Sequence, residues 1–216
     1  VYPSSSYKGG VERVIAEVLK FLVSNGVTVR AVCSDMDPSL VPLCSSVHYE
    51  NCEDAIKPLK AIWLRLGWMR RAARQIKPCA ERVKVISAPC ALLKADVVMA
   101  GSCHLAAQSS RLSKGAYKWL FNPKHWFYIF AECSIFARAS SIVLVPSKRT
   151  QGEIQRFYPF AKHRTYVVPH GVDLKLFVPD ASAKLALLRF LGIGDQKIVL
   201  LTVTNEIKRK GCFEIL

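Results

Sequence analysis

The sequence predicts an α/β fold: a Rossmann-like parallel sheet with helices on both faces, followed by a truncated second Rossmann-like domain. Three observations carry this. Short apolar runs at 83–87, 96–100, 141–145 and 197–203 alternate with longer stretches of helical periodicity. Several runs are almost wholly apolar, as strands covered on both faces of a parallel sheet must be. The chain of 216 residues is 51% hydrophobic with four tryptophans, enough for a sizeable packed core. Ligands of such sheets sit beyond the carboxyl ends of the strands, so the loops after the apolar runs are the places to look for chemistry.

Near the start, Ser6-Tyr7-Lys8-Gly9-Gly10 leads into a helix whose apolar positions Val11, Val14, Ile15, Val18, Leu19 and Leu22 share one face. Ser24-Asn25-Gly26 ends it, with Gly26 suited to the left-handed residue after the last turn. Residues 27–33 then alternate like a strand. A glycine turn at a helix start aims unpaired N–H groups and the positive helix end at an anion such as phosphate. Gly9 and Gly10 are therefore candidate phosphate-binding residues, and a plain turn is the other reading.

Residues 35–43 read as a loop around Pro38 and Pro42, followed by a short strand at 47–49. Pro58 opens a helix to about Lys77, with Leu59, Ile62, Leu66, Met69, Ala73 and Ile76 as its expected core face. Lys60, Arg65, Arg70, Arg71, Arg74 and Lys77 cover the rest, with Trp63 and Trp68 among them. A basic helix with spare tryptophans suits an anionic membrane surface, and it equally suits an ordinary solvated face. Trp63, Trp68, Arg70, Arg71 and Arg74 are the candidate acceptor- or membrane-facing residues.

The strand at 96–100 runs into Gly101-Ser102-Cys103-His104. Asn122-Pro123 is an N-cap with proline at the first helical position, opening a helix that carries Trp126, Phe127, Phe130, Cys133 and Phe136. Residues 141–145 form a buried strand, Ser147 caps a helix reaching Phe157, and 166–168 is a further strand closed by Pro169-His170-Gly171-Val172-Asp173. From Pro179 the composition shifts: a short helix at 183–191 stopped by Gly192, a strand at 197–203, then Lys208-Arg209-Lys210-Gly211. The domain boundary falls around 174–195, giving a first domain over 1–178 and the beginning of a second over 195–216. A start at Val and a stop within apparent helix, at Leu216, read as a fragment.

A formal charge of +15 fits nucleic acid, an anionic membrane surface or a phosphorylated substrate. No helix-turn-helix or related nucleic-acid motif is present, and the cations concentrate on the helix beginning at Pro58. The first turn lacks Gly-x-Gly-x-x-Gly, which argues against a dinucleotide-dependent oxidoreductase. Eight scattered cysteines form no Cys-x-x-Cys pair, so no zinc site is expected and reduced thiols are. No apolar run reaches the length of a bilayer span.

Four stretches, in order, resemble glycosyltransferase family 4, the retaining nucleotide-sugar enzymes of two-domain GT-B fold. Gly9-Gly10-Val11-Glu12-Arg13-Val14 is similar to that family's Gly-Gly-x-Glu-Arg-Val start. Residues 140–147 with Glu153-Ile154 are similar to its Ala-Asp-x-Val-Ile-Ala-x-Ser strand and following helix. Residues 167–173, with Phe177 and Pro179, resemble its Val-Ile-Pro-Asn-Gly-Val-Asp motif. Lys208-Arg209-Lys210-Gly211 looks like the Arg-Lys-Gly of its second domain.

The resemblance implies an acceptor-side first domain, a second domain holding most of the donor, and transfer in the cleft between them without a metal or other cofactor. It implies a nucleotide-sugar donor, a glycan or lipid-linked acceptor in lipopolysaccharide or other surface-glycan synthesis, and no nucleic-acid partner. Gly9 and Gly10 would face the donor diphosphate from one side, Arg209 and Lys210 from the other. The setting it implies is cytoplasmic, with peripheral attachment to the inner face of the membrane. Residues 96–104 resemble a subgroup's Asp-Val-Val-x-Ala-His-Ser-Cys-His, with Gly101 where the first histidine would stand. His104 remains as the candidate catalytic residue, contacting the transferred sugar or the acceptor hydroxyl. His170 replaces the usual asparagine and reads as structural, and Thr204-Asn205 replace the usual Gly-Arg or Gly-His. The family's paired glutamates would lie beyond Leu216, so the 216 residues alone are expected to be inactive.

Overall fold

Every strand pairing among the described residues is parallel. A computed structural model of the chain describes residues 4–5, 10–51, 57–76, 83–88, 91–92, 94–175, 177–194 and 199. In chain order the first elements are β1 (Ser4–Ser5), α1 (Gly10–Ser24), β2 (Arg30–Cys33), β3 (Asp35–Met36), β4 (Ser46–Tyr49) and α2 (Pro58–Gln75). Then come β5 (Ile86–Ser87), β6 (Val97–Met99), α3 (His104–Ser113), α4 (Pro123–Phe136), β7 (Ile142–Val145), α5 (Lys148–Phe157), β8 (Thr165–Val167) and α6 (Ala181–Phe190). Hydrogen bonding joins β1 to β3, β2 to β4, and β5-β6-β7-β8 in sequence order. The single sheet expected from the sequence is thus three parallel sheets among the described residues. The chain divides into two compact units, Val1–Gly171 and Val172–Leu216.

Local chemistry sets the helix ends. The Asn122 side chain accepts from the Lys124 N–H at 3.0 Å and Ser147 Oγ from the Thr150 N–H at 3.2 Å, each supplying a partner for an orphan donor. In the second unit Asp180 does the same for Ala183 at 2.9 Å. At the end of α1, Gly26 has φ +75° and its N–H donates to Val23, while Val27 donates to Leu22. This is the left-handed closure that glycine tolerates best.

The largest core lies between the four-stranded sheet and its helices. Val98, Val143 and Val145 of the sheet meet Ile135 and Phe136 of α4 and Ile154 of α5. A second core packs Val32 against Trp68, Met69 and Ala72 of α2, with Phe127 of α4 at its edge. A third joins Ala16 and Leu19 of α1 to Cys33, Met36 and Leu40. The inward face of α2 therefore corrects the sequence reading: Leu59 and Ala73 are exposed, while Trp68 and Ala72 are buried. No helix among the described residues is long and apolar enough to cross a membrane. Strand 197–203, apart from Val199, lies outside the described residues.

Candidate functional site

The site is built where the chain leaves β6. Residues 100–103 carry it from the carboxyl end of that strand into α3, whose first residue is His104. Cys103, the cap residue, turns only a weakly accepting thiol toward the Ala106 and Leu105 N–H groups and makes no close capping hydrogen bond. The acceptor comes from α4 instead. Glu132, only 2% exposed, takes the backbone N–H of His104 at 2.5 Å and of Leu105 at 3.1 Å. Its second oxygen also accepts from the Tyr158 hydroxyl at 2.9 Å. Burial pushes the Glu132 carboxyl up, and these donors hold it down by stabilising the anion. The positive end of α3 is thus already occupied by a protein carboxylate, which fixes His104 in place and leaves that helix end closed to a ligand anion.

The His104 ring meets a second histidine. His104 Nε2 lies 3.1 Å from His125 Nδ1, with His125 on the first turn of α4. The ring centroids are 5.1 Å apart and the planes 20° apart. Gln108, one turn along α3 and 2% exposed, places its amide nitrogen 3.3 Å from His104 Nε2 and 3.4 Å from His125 Nδ1. Its oxygen accepts from Arg111 Nη1 at 3.4 Å. Tyr128 stands edge-on to His104, and Trp119 edge-on to His125. The Trp119 indole N–H is buried and has no hydrogen-bond partner among the described residues. Burial, helped by His125 and Arg111, lowers the His104 pKa to about 4. Burial also lowers that of His125, with Arg111 and Lys124 adding to the effect. Both imidazoles are therefore neutral near pH 7, able to donate and accept hydrogen bonds but not to supply positive charge.

The other candidates separate. Gly10 is the first residue of α1, and a Cβ added there would meet nothing within 4 Å among the described residues. Gly9, Arg209 and Lys210 lie outside the described residues. Trp63 is 68% exposed, and Arg70 and Arg74 are exposed with it. Trp68 is a correction: it is 0% exposed, and its indole N–H donates to the Glu50 carbonyl at 3.0 Å, so it can face neither acceptor nor membrane. Arg71 is exposed, and its guanidinium is held by Glu50 Oε2 at 2.9 Å and the Asn51 carbonyl at 2.8 Å. Both residues fasten α2 to the chain leaving β4. His125, Gln108, Glu132 and Tyr158 were not signalled by any motif. The four-residue step from His104 to Gln108 would have shown a shared helical face had 104–113 been read as a helix.

The sequence model for Glycosyltransferase Family 4 matches residues 8–176. The chain belongs to glycosyltransferase family 4. That span includes Gly10, His104, Gln108, His125 and Glu132, and stops short of Arg209 and Lys210. Among solved structures, the crystal structure of WaaG, a glycosyltransferase involved in lipopolysaccharide biosynthesis, matches with a TM-score of 0.73 at 15% identity. The match covers 100% of this chain and 58% of that one, so the family 4 chain spans a little over half its length. At this identity the likeness concerns the fold, that of the N-terminal part of a GT-B glycosyltransferase. No curated protein matches the chain. Among the described residues no group of three or more His, Cys, Asp or Glu side chains could hold a metal ion.

Proposed function

We propose that this chain is the acceptor-side part of a retaining glycosyltransferase. It would act with a nucleotide-diphosphate sugar donor and a glycan or lipid-linked acceptor of surface polysaccharide or lipopolysaccharide. The supporting observation is His104, a neutral, hydrogen-bonded imidazole just past a strand's carboxyl end in a family 4 chain. In this reading His104 contacts the transferred sugar or the acceptor hydroxyl. The first domain spans 1–178, and the donor-binding domain begins in 195–216. Gly9 and Gly10 face the donor diphosphate, Arg209 and Lys210 neutralise it as it leaves, and no metal or other cofactor takes part.

The test is turnover of a panel of nucleotide sugars by the protein as encoded, alongside Gly10→Val. A Cβ at Gly10 would meet nothing within 4 Å among the described residues, so lost turnover with unchanged thermal unfolding is expected. Wild-type turnover by that variant would make the glycines a plain turn, and no turnover with any donor would remove the transfer reading.

The same reading places the enzyme in the cytoplasm, attached peripherally to an anionic inner membrane face. Support comes from exposed Leu59 and Trp63 beside Arg70 and Arg74 on α2. Exposed Phe121, Trp126 and Phe130, in a stretch that also carries Lys118 and Lys124, add a second aromatic and basic surface. Flotation with anionic vesicles and not with neutral ones is expected, and equal partitioning would count against attachment.

A further inference from the structure

The contact between His104 and His125 constrains more than position. The nitrogens are 3.1 Å apart while the ring centroids stand 5.1 Å apart in nearly parallel planes. The rings therefore meet edge to edge through His104 Nε2 and His125 Nδ1. At that separation two N–H groups would collide, and two lone pairs would repel. One hydrogen between them turns the contact into a hydrogen bond.

Gln108 opposes a second hydrogen there. Arg111 holds its oxygen, which turns the amide N–H2 toward the two ring nitrogens. A donor aimed there requires at least one lone pair between the rings. Added protons are disfavoured by burial and by the positive charges of Arg111 on α3 and Lys124 on α4, and a hydrogen on both inner nitrogens would also face the amide N–H2 donor. Glu132 does not offset them at the rings, because its oxygens are turned to the His104 and Leu105 backbone and to Tyr158. The Tyr128 ring borders His104 without supplying charge.

A single shared hydrogen leaves two arrangements. With the hydrogen on His104 Nε2, His125 accepts at Nδ1 and carries its own hydrogen on Nε2. With the hydrogen on His125 Nδ1, His104 accepts at Nε2 and carries its own on Nδ1. In each case both rings have the same tautomer. The outer nitrogens, His104 Nδ1 and His125 Nε2, are always of opposite kind, one a lone pair and the other an N–H. The arrangements interconvert when one outer nitrogen takes up a proton and the other releases one, with no change in charge.

We propose that His104 and His125 form one tautomer-coupled unit in which His125, oriented by Gln108, is a positioning residue that decides whether His104 presents a donor or an acceptor at Nδ1. Its consequence for transfer rests on the reading of His104 as the residue that touches substrate hydroxyls. An acceptor nitrogen there suits a hydroxyl that must lose its proton, and a donor nitrogen suits a sugar oxygen that is only held.

The test is nitrogen-15 NMR on the protein as encoded, labelled at histidine, near pH 7.5. The expected result is one tautomer shared by His104 and His125, with a nitrogen–nitrogen coupling across their hydrogen bond. Opposite tautomers, or no coupling, would overturn the unit without any variant. In His125→Phe the His104 tautomer populations should change, and in His125→Asn, whose amide falls near the former Nδ1, they should return toward wild type. A wild-type His104 spectrum in folded His125→Phe would overturn the positioning role. In the protein as encoded, His125→Phe should lower kcat about 10²-fold with little change in the donor KM, and should alter the pH profile. His125→Asn should recover part of that loss. A coupled pair together with unchanged turnover in His125→Phe would leave the unit standing and overturn the assignment of His104 to the substrate.

Discussion

Two helices that pack on each other, α2 and α4, carry similar residues and point them in opposite directions. On α2 the inward face takes a tryptophan, Trp68, and an arginine of the same helix, Arg71, is held by Glu50. On α4 the inward face takes a carboxylate, Glu132, while Trp126 and Phe130 stay exposed. The difference lies in what each buried polar group can reach. Trp68 finds the Glu50 carbonyl with its one N–H, so the rest of its large apolar surface can be buried at little polar cost. Glu132 finds two helix N–H groups and a tyrosine hydroxyl, enough for a carboxylate to stay inside. Trp126 also satisfies its indole N–H, on the Leu120 carbonyl at 2.8 Å, yet it stays half exposed because no core packs over its ring.

This contrast breaks most visibly at Trp68. Trp68→Ala should cost about 3–5 kcal/mol by the cavity left in the second core. Trp63→Ala, on the same helix, should stay within about 0.5 kcal/mol. Urea unfolding of both variants checks this, and equal losses would mean that α2 does not sit in the register described. Glu132→Ala should cost roughly 3 kcal/mol, because it strands two helix donors and the Tyr158 hydroxyl in a buried place. Glu132→Gln, which keeps an acceptor, should recover part of it, and similar unfolding midpoints for the two would remove the capping role.

A smaller effect is expected with pH. The folded pKa of His104, about 4, lies below the usual 6.5, so the unfolded chain binds the proton first. The stability tied to its neutral form is full above about 6.5 and is lost as pH falls toward 4. His125 acts in the same direction. Partial exposure of both rings screens the effect. Thermal unfolding at several pH values should show His104→Phe to be less acid-sensitive than wild type, and parallel curves would contradict the assignment.

Much of the fold was legible because its signals are local. Asn122-Pro123 and Ser147 announce helix starts through groups within three residues, Gly26 ends α1 through its own φ, and the apolar runs at 97–99 and 142–145 pair in parallel as their composition demands. The inward face of α2 was not legible in the same way. Its aromatic and basic residues are spread around the helix, and two successive registers would each bury an apolar stripe. The contact with Val32 and the reach of Glu50 select the one that buries Trp68.

The candidate site divides along the same line. The sequence by itself determined the parallel α/β class, the helix that begins at Gly10, and the position of His104 just past a strand, because each follows from neighbours in the chain. Only the tertiary structure decided that His104 has His125 and Gln108 for partners and that the α3 N-terminus is filled by Glu132. His125 is 21 residues away from His104, and Glu132 is 28. The physical reason is that side chains so far apart in sequence meet only after the sheet has set α4 against α3, and hydrogen bonds of this kind leave no periodic trace along the chain.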